Sequence, residues 1–168
     1  MIAENGHRNI VYLLENKKEV MAKTYHAPLF VRIANVMTTT LLRTGFKFTG
    51  FNSYPVYLLT VRGRKSGKPR TVPLALLEHS EKRCVACAGA GDWVLNLRAA
   101  GEATLTRGGH SEAVTATELS YKEAALVLRE EVKGGYPFAS NFGVTANSSL
   151  EEFERAVVGH PLFELKGK

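Results

Sequence analysis

Between positions 62 and 70 the chain carries five cationic side chains, Arg62, Arg64, Lys65, Lys68 and Arg70, set around Gly63 and Gly67 in the run VRGRKSGKPRTVPL. Arg can grip phosphate or carboxylate through two parallel hydrogen bonds and Lys adds a compact point charge, so this density suits an anion with more than one negative group. Gly67 tolerates the left-handed dihedrals that turn consecutive backbone N–H groups onto one anion, forming a nest. The same charges would also serve a solvated hairpin tip that keeps a strand edge from pairing with other chains. Residue types alone leave both readings open.

Other chemistries are poorly supplied. Asp92 is the only aspartate, so a magnesium site built on clustered aspartates has no material. Cys84 and Cys87 form a CxxC on a strand-like run, where residues three apart point to opposite faces, and no second CxxC exists to complete a zinc site. His7, His26, His79, His110 and His160 are dispersed, and His160 beside Pro161 reads as structural. Gly89 and Gly91 begin a GxG, but Val94 stands where a dinucleotide-binding fingerprint needs its last glycine. No metal is expected, and no nucleophile–base–orienter set is evident.

These residues must be positioned by a chain of 168 residues, ordinary for one domain, with 45% apolar and 23% charged residues and a net charge of +6. The basic balance attracts anionic partners without naming them. Two cysteines make no disulfide framework and suit a reducing cytoplasm. The N-terminus lacks the basic start and apolar run of a signal peptide, and the apolar stretch 27–42, interrupted by Arg32 and Asn35, falls short of the roughly 20 residues needed to span a bilayer.

Apolar spacing predicts a helix over 9–23, then a second from Pro28 with Phe30, Ile33, Ala34, Met37 and Leu41 on one side, stopped near Gly45. The period then shortens. Residues 56–62, 70–78, 82–88, 102–107 and 111–119 read as strands, with 63–69 a broad hairpin loop and 107–110 a tight one. A short helix is expected over 91–100. Ser120 with Glu123 is a capping box, Ser148 with Glu151 opens a further helix, and 159–166 is a closing strand. The expected fold class is α+β, a single domain built on an antiparallel barrel or half-open barrel. Its parts are a helical segment 1–48, a barrel core 54–119 and C-terminal helices with a closing strand over 120–168.

The succession of a strand, GRKSGKPR, TVPL, a further strand and WVLNLRAA, covering roughly residues 50–120, resembles the deazaflavin-dependent nitroreductase family, split-barrel proteins that use coenzyme F-420. The resemblance implies an oxidoreductase passing hydride from reduced coenzyme F-420, an 8-hydroxy-5-deazaflavin, to a small-molecule acceptor such as a nitro compound, quinone or enone. It implies that the hairpin holds the coenzyme's phosphate and acidic tail, with Lys65 and Arg70 gripping the phosphate, Arg64, Ser66, Gly67 and Lys68 around them, and Thr71 and Pro73 also binding the cofactor. Trp93 and Asn96 would flank the pocket. Backbone N–H groups of Ala88, Gly89, Ala90 and Gly91 would face the ring, in a loop shorter than the family's and without its proline. Tyr136, in GGYPFASNF, would donate a hydrogen bond or proton to the acceptor. FMN is the alternative cofactor, although one phosphate matches five cations less well than an oligoglutamate tail does.

Two rival readings follow from the residues. A non-catalytic barrel carrying a lipid, tetrapyrrole or flavin would use the apolar helix at 28–43 as a cover, or lay it on a membrane surface as a peripheral contact. A nucleic-acid contact ranks last, because the charge is confined to one hairpin and no aromatic stacking array accompanies it. Oligomeric state is not legible.

Overall fold

A computed structural model describes residues 29–44, 54–79, 81–87 and 91–168. The helix expected over 9–23, the start of the second at Pro28, and His7 and His26 lie outside the described residues. The elements are α1 (Leu29–Arg43), β1 (Val56–Arg62), β2 (Pro69–Ala75), β3 (Leu77–His79), β4 (Lys82–Ala86), α2 (Asp92–Ala100), β5 (Glu102–Arg107), β6 (His110–Glu118), α3 (Tyr121–Lys133), α4 (Leu150–Gly159) and β7 (Leu162–Gly167), with a 3-10 turn at Ala139–Phe142.

The strands form one antiparallel sheet ordered β2-β1-β5-β6-β7-β4-β3. β2 and β3 were expected as one strand over 70–78. They are consecutive in the chain yet occupy opposite ends of this order, so the run leaves one ladder and joins another at Leu76. There the Leu76 N–H bonds to the Pro55 carbonyl at 3.1 Å instead of a strand partner. The sheet therefore curls towards itself as a half-barrel, which is the expected fold class. Pro73 is tolerated because β2 is an end strand with only β1 beside it.

Alternation divides the core in two. Along β4 and β7, Val85 and Phe163 enter one cluster with Leu59, Leu97 and Leu105, lidded by α2, while Cys84 and Leu162 enter the other with Leu128 and Phe153 beneath α3 and α4. Each fully buried Leu or Phe in these clusters stabilises the fold by about 1.5–3 kcal/mol. Described side chains of α1 contribute little to either: Leu42 is buried with Val56 and Leu58 in a separate small cluster, whereas Val36 and Met37 are 66% and 68% exposed.

Turn chemistry matches the sequence where two glycines occur together. Gly108 and Gly109, at φ 58° and 82°, close β5 onto β6 in a two-residue turn with Arg107 opposite His110. The box at Ser120 and Glu123 forms as expected. The second box is shifted by one residue, to Ser149 and Glu152, because the Ser148 hydroxyl accepts from the Thr145 N–H in the preceding turn. The closing strand begins at Leu162, later than expected, since α4 continues to Gly159.

Candidate functional site

The hairpin between β1 and β2 is held by its own backbone. Gly63 N–H donates to the Lys68 carbonyl at 2.9 Å and Gly67 N–H to the Gly63 carbonyl at 2.8 Å, with Gly67 at φ 65°. A Cβ on Gly63 would lie 2.9 Å from Ser66 Oγ and 3.0 Å from the Lys68 carbonyl oxygen, so a side chain there would turn Ser66 away and crowd the hairpin backbone. These bonds correct one expectation. The amides of Gly63, Arg64, Gly67 and Lys68 all find partners within the protein, so no nest centred on Gly67 faces a ligand. Charge for an anion comes from side chains.

Arg64 ties the hairpin to α2. Its backbone N–H and its Nη1 both donate to Asn96 Oδ1 at 3.1 Å, and Nη1 also reaches Asp92 Oδ1 at 3.2 Å. Asn96 is buried, and its carbonyl oxygen is thus engaged by Arg64. Asp92 occupies the first turn of α2, where a carboxylate complements the helix dipole. Among the described residues, no carboxylate stands within ion-pair distance of Lys65, Lys68 or Arg70.

Lys65 and Arg70 border a cavity of about 1030 Å³. Arg64, Lys65 and Ser66 of the hairpin form one wall, Arg70, Thr71 and Val72 of β2 another, and Asp92, Trp93 and Asn96 of α2 a third. The fourth wall is α1, through Asn35, Val36, Thr39, Thr40 and Arg43. Trp93 serves packing and cavity together: it is half-buried, its ring centroid 6.4 Å from that of Phe163 in the core, while it lines the cavity. Gly91 caps α2, and a Cβ there would meet the Trp93 ring at 3.3 Å. Gly67 and Lys68 complete the hairpin turn without lining the cavity. Ala88, Gly89 and Ala90 lie outside the described residues.

Two expected site residues fall elsewhere. Pro73 lines a second cavity of about 280 Å³ with Val56, Leu74, Ala75, Phe138 and the Thr38–Leu41 side of α1. Tyr136 is buried in the cluster under α3 and α4, its ring 5.1 Å from Tyr54 and 5.6 Å from Phe138, and is absent from the lining of either cavity. Burial, and then the neighbouring Glu131, push its phenol up to about 12, so the hydroxyl keeps its proton at neutral pH. Packing decides its place: its aromatic neighbours hold it inside a core.

The helix at 28–43 was expected as a cover in the carrier reading, but the polar residues it contributes to the wall were missed. Asn35, Thr39 and Arg43 recur every four residues along a mostly apolar helix that also carries Arg32, Thr38 and Thr40, a polar stripe that sequence periodicity does carry. Among the described residues no group of three or more potential metal ligands gathers. Cys84 and Cys87 belong to different cores, and burial pushes the Cys84 thiol up to about 11. No described helix is long and apolar enough to cross a membrane.

A family model described as F420H(2)-dependent quinone reductase matches residues 32–145. Among solved structures, one described as an F420-H2 dependent reductase (FDR-A) is 24% identical with a TM-score of 0.48, covering 67% of this chain and 94% of its own. A second, described as a domain-swapped dimer, is also 24% identical, with a TM-score of 0.51 over 82% of this chain and 97% of its own. HutZ, a heme storage protein from Vibrio cholerae, is 11% identical with a TM-score of 0.46, covering 67% and 81%. No curated protein shows significant sequence similarity to the chain. At these identities, the likeness to the second structure bears on the fold alone.

Proposed function

The chain belongs to the F420H(2)-dependent quinone reductase family, and from that premise we propose that its large cavity binds the coenzyme with Lys65 and Arg70 on the phosphate and with Lys68 and Arg64 near the acidic tail. The protein is an oxidoreductase that uses reduced coenzyme F420 and hands hydride to a small organic acceptor. The observation that carries the assignment of the site is that one cavity joins cations lacking carboxylate partners to a half-buried tryptophan. Unneutralised charge fits a polyanionic tail, and an indole edge fits a planar ring. FMN, with a single phosphate, would leave part of that charge unanswered.

When bound, the coenzyme supplies a hydride donor, and the difficult chemistry belongs to it. The chain's own residues bind and orient. Arg64, pinned by Asn96 and Asp92, fixes the hairpin against α2, so that Lys65 and Arg70 are presented at a set distance from Trp93. Val36, Val72 and Trp93 supply apolar wall that limits water near the reacting atoms. No residue need act as a nucleophile. A quinone is the acceptor class that the family's description favours, with nitro compounds and enones as further candidates.

Titrating the full chain with the coenzyme, followed by its absorbance, and then supplying the reduced coenzyme with a panel of quinones, enones and nitroaromatics tests this reading. Saturable binding and acceptor-dependent oxidation are expected. Absence of both, with lipid or tetrapyrrole copurifying instead, would replace the enzyme with a carrier.

A further inference from the structure

We propose that Arg43 of α1 is a second arm of the anion site, so that the coenzyme's negative group ties α1 to the barrel. The inference rests on the cavity assignment above and extends it to an element outside the hairpin.

Arg43 stands in the last turn of α1, on the stripe with Asn35 and Thr39 that faces the cavity. Its Nη2 donates to Thr71 Oγ1 at 3.3 Å, and Thr71 Oγ1 lies 3.0 Å from Thr60 Oγ1, so the guanidinium is anchored at the edge of β2. Thr71 follows Arg70 directly, and both line the cavity. A guanidinium is thereby brought to the strand that carries Arg70. Among the described residues neither cation has a carboxylate partner. Like charges gathered in one cavity without a counter-ion repel, and an anion between them reverses the sign of the interaction. Of the five N–H donors of Arg43 one reaches Thr71, leaving the planar fork free to take a phosphate or carboxylate.

The helix itself needs the contact. Among described α1 side chains only Leu42 is buried, while Val36, Met37 and Leu41 remain exposed. An anion held jointly by Arg43 on α1 and by Arg70 and Lys65 across the cavity would therefore add a substantial part of what holds α1 against β2. The competing explanation is that Arg43 only complements the negative end of the α1 dipole. That role affects helix stability and leaves ligand affinity alone.

The experiment compares wild-type chain with Arg43→Gln, Arg43→Lys and the hairpin variant Lys65→Ala/Arg70→Ala. It measures coenzyme Kd by absorbance titration, thermal midpoint without ligand, and amide hydrogen exchange over 29–43 with and without coenzyme. Arg43→Gln is expected to raise Kd about tenfold, the equivalent of one charge-assisted hydrogen bond, with Arg43→Lys in between. Coenzyme should slow α1 exchange in wild type and fail to do so in Arg43→Gln. If the hairpin variant loses affinity while Arg43→Gln binds as wild type does, Arg43 is no ligand-binding residue and the hairpin assignment stands. If Arg43→Gln lowers only the thermal midpoint, the dipole explanation replaces the proposal. Unchanged affinity in every variant overturns both this inference and the cavity assignment.

Discussion

Two regions of the molecule treat charge differently: ion pairs close away from the cavity, whereas among the described cations lining it only Arg64 is paired, with Asp92. Away from the cavity, Arg98 makes a paired bond to Glu118 at 2.6 and 2.7 Å, Arg83 meets Glu112, Lys168 meets Glu102, and both capping boxes are closed by glutamates. Around the cavity, Lys65, Arg70 and Arg43 have no described carboxylate partner, and the loop presenting the first two turns on Gly63 and Gly67. The first arrangement satisfies its polar groups internally. The second leaves charge available for something that is not protein, which is how a binding surface differs from a merely soluble one.

The contrast can be broken from either side, and the largest effect belongs to the core side. Phe153 is fully buried among Leu128, Val157 and Leu162, so Phe153→Ala removes apolar area and leaves a cavity, costing about 3–5 kcal/mol of stability. Denaturant unfolding should show that loss, while coenzyme affinity per folded molecule stays unchanged. A parallel loss of affinity would mean that the two sides are energetically one.

The cavity side should respond in reverse. Lys65→Ala with Arg70→Ala deletes two charged partners of the proposed phosphate and is expected to weaken coenzyme binding by about a hundredfold, from charge-assisted bonds of about 1.5 kcal/mol or more each. Both side chains are exposed and lack described ion pairs, so the unfolding midpoint should hold within about 0.5 kcal/mol. Unaltered affinity would return the hairpin to a solvated tip.

How much of this was legible depends on the range over which each feature is decided. The GlyGly turn at 108–109 and the Ser120 box are local, and the residues themselves specify them. Two serines followed by two glutamates, each at the right spacing, left the register of the second box open by one residue, and a hydroxyl contact to Thr145 settles it. The break at Leu76 has no local mark, because VPLALL is continuously apolar and the change of ladder follows from how the sheet closes. At the site, the basic hairpin announces itself in residue types. The α1 wall does not: its stripe has the right period, but nothing in the sequence says that α1 lies across from β2. Tyr136 illustrates the converse, since the family resemblance implied a donor to the acceptor there and aromatic packing has buried it.

The smallest effect separates the two sides by pH. His160 caps α4, its Nδ1 donating to the Cys87 carbonyl at 3.1 Å and its ring packed on Phe142, and burial holds its pKa below the ordinary 6.5 although the Cys87 bond opposes this. The folded state therefore binds a proton less readily than the unfolded chain does. Stability is complete above about 6.5 and declines as pH falls from there towards the depressed folded value. Glu123 and Glu152, held below the usual carboxylate range by their capping serines, act later, their contribution being present above about 4.3 and lost as pH falls through their lower folded values. The cavity is lined by neither His160 nor the capping glutamates, so coenzyme affinity should be flat between about pH 6 and 8 while the unfolding midpoint already slopes at the lower end. His160→Gln should remove that slope above the range where carboxylates titrate without touching affinity, and a slope that survives the substitution would assign the titration to another group.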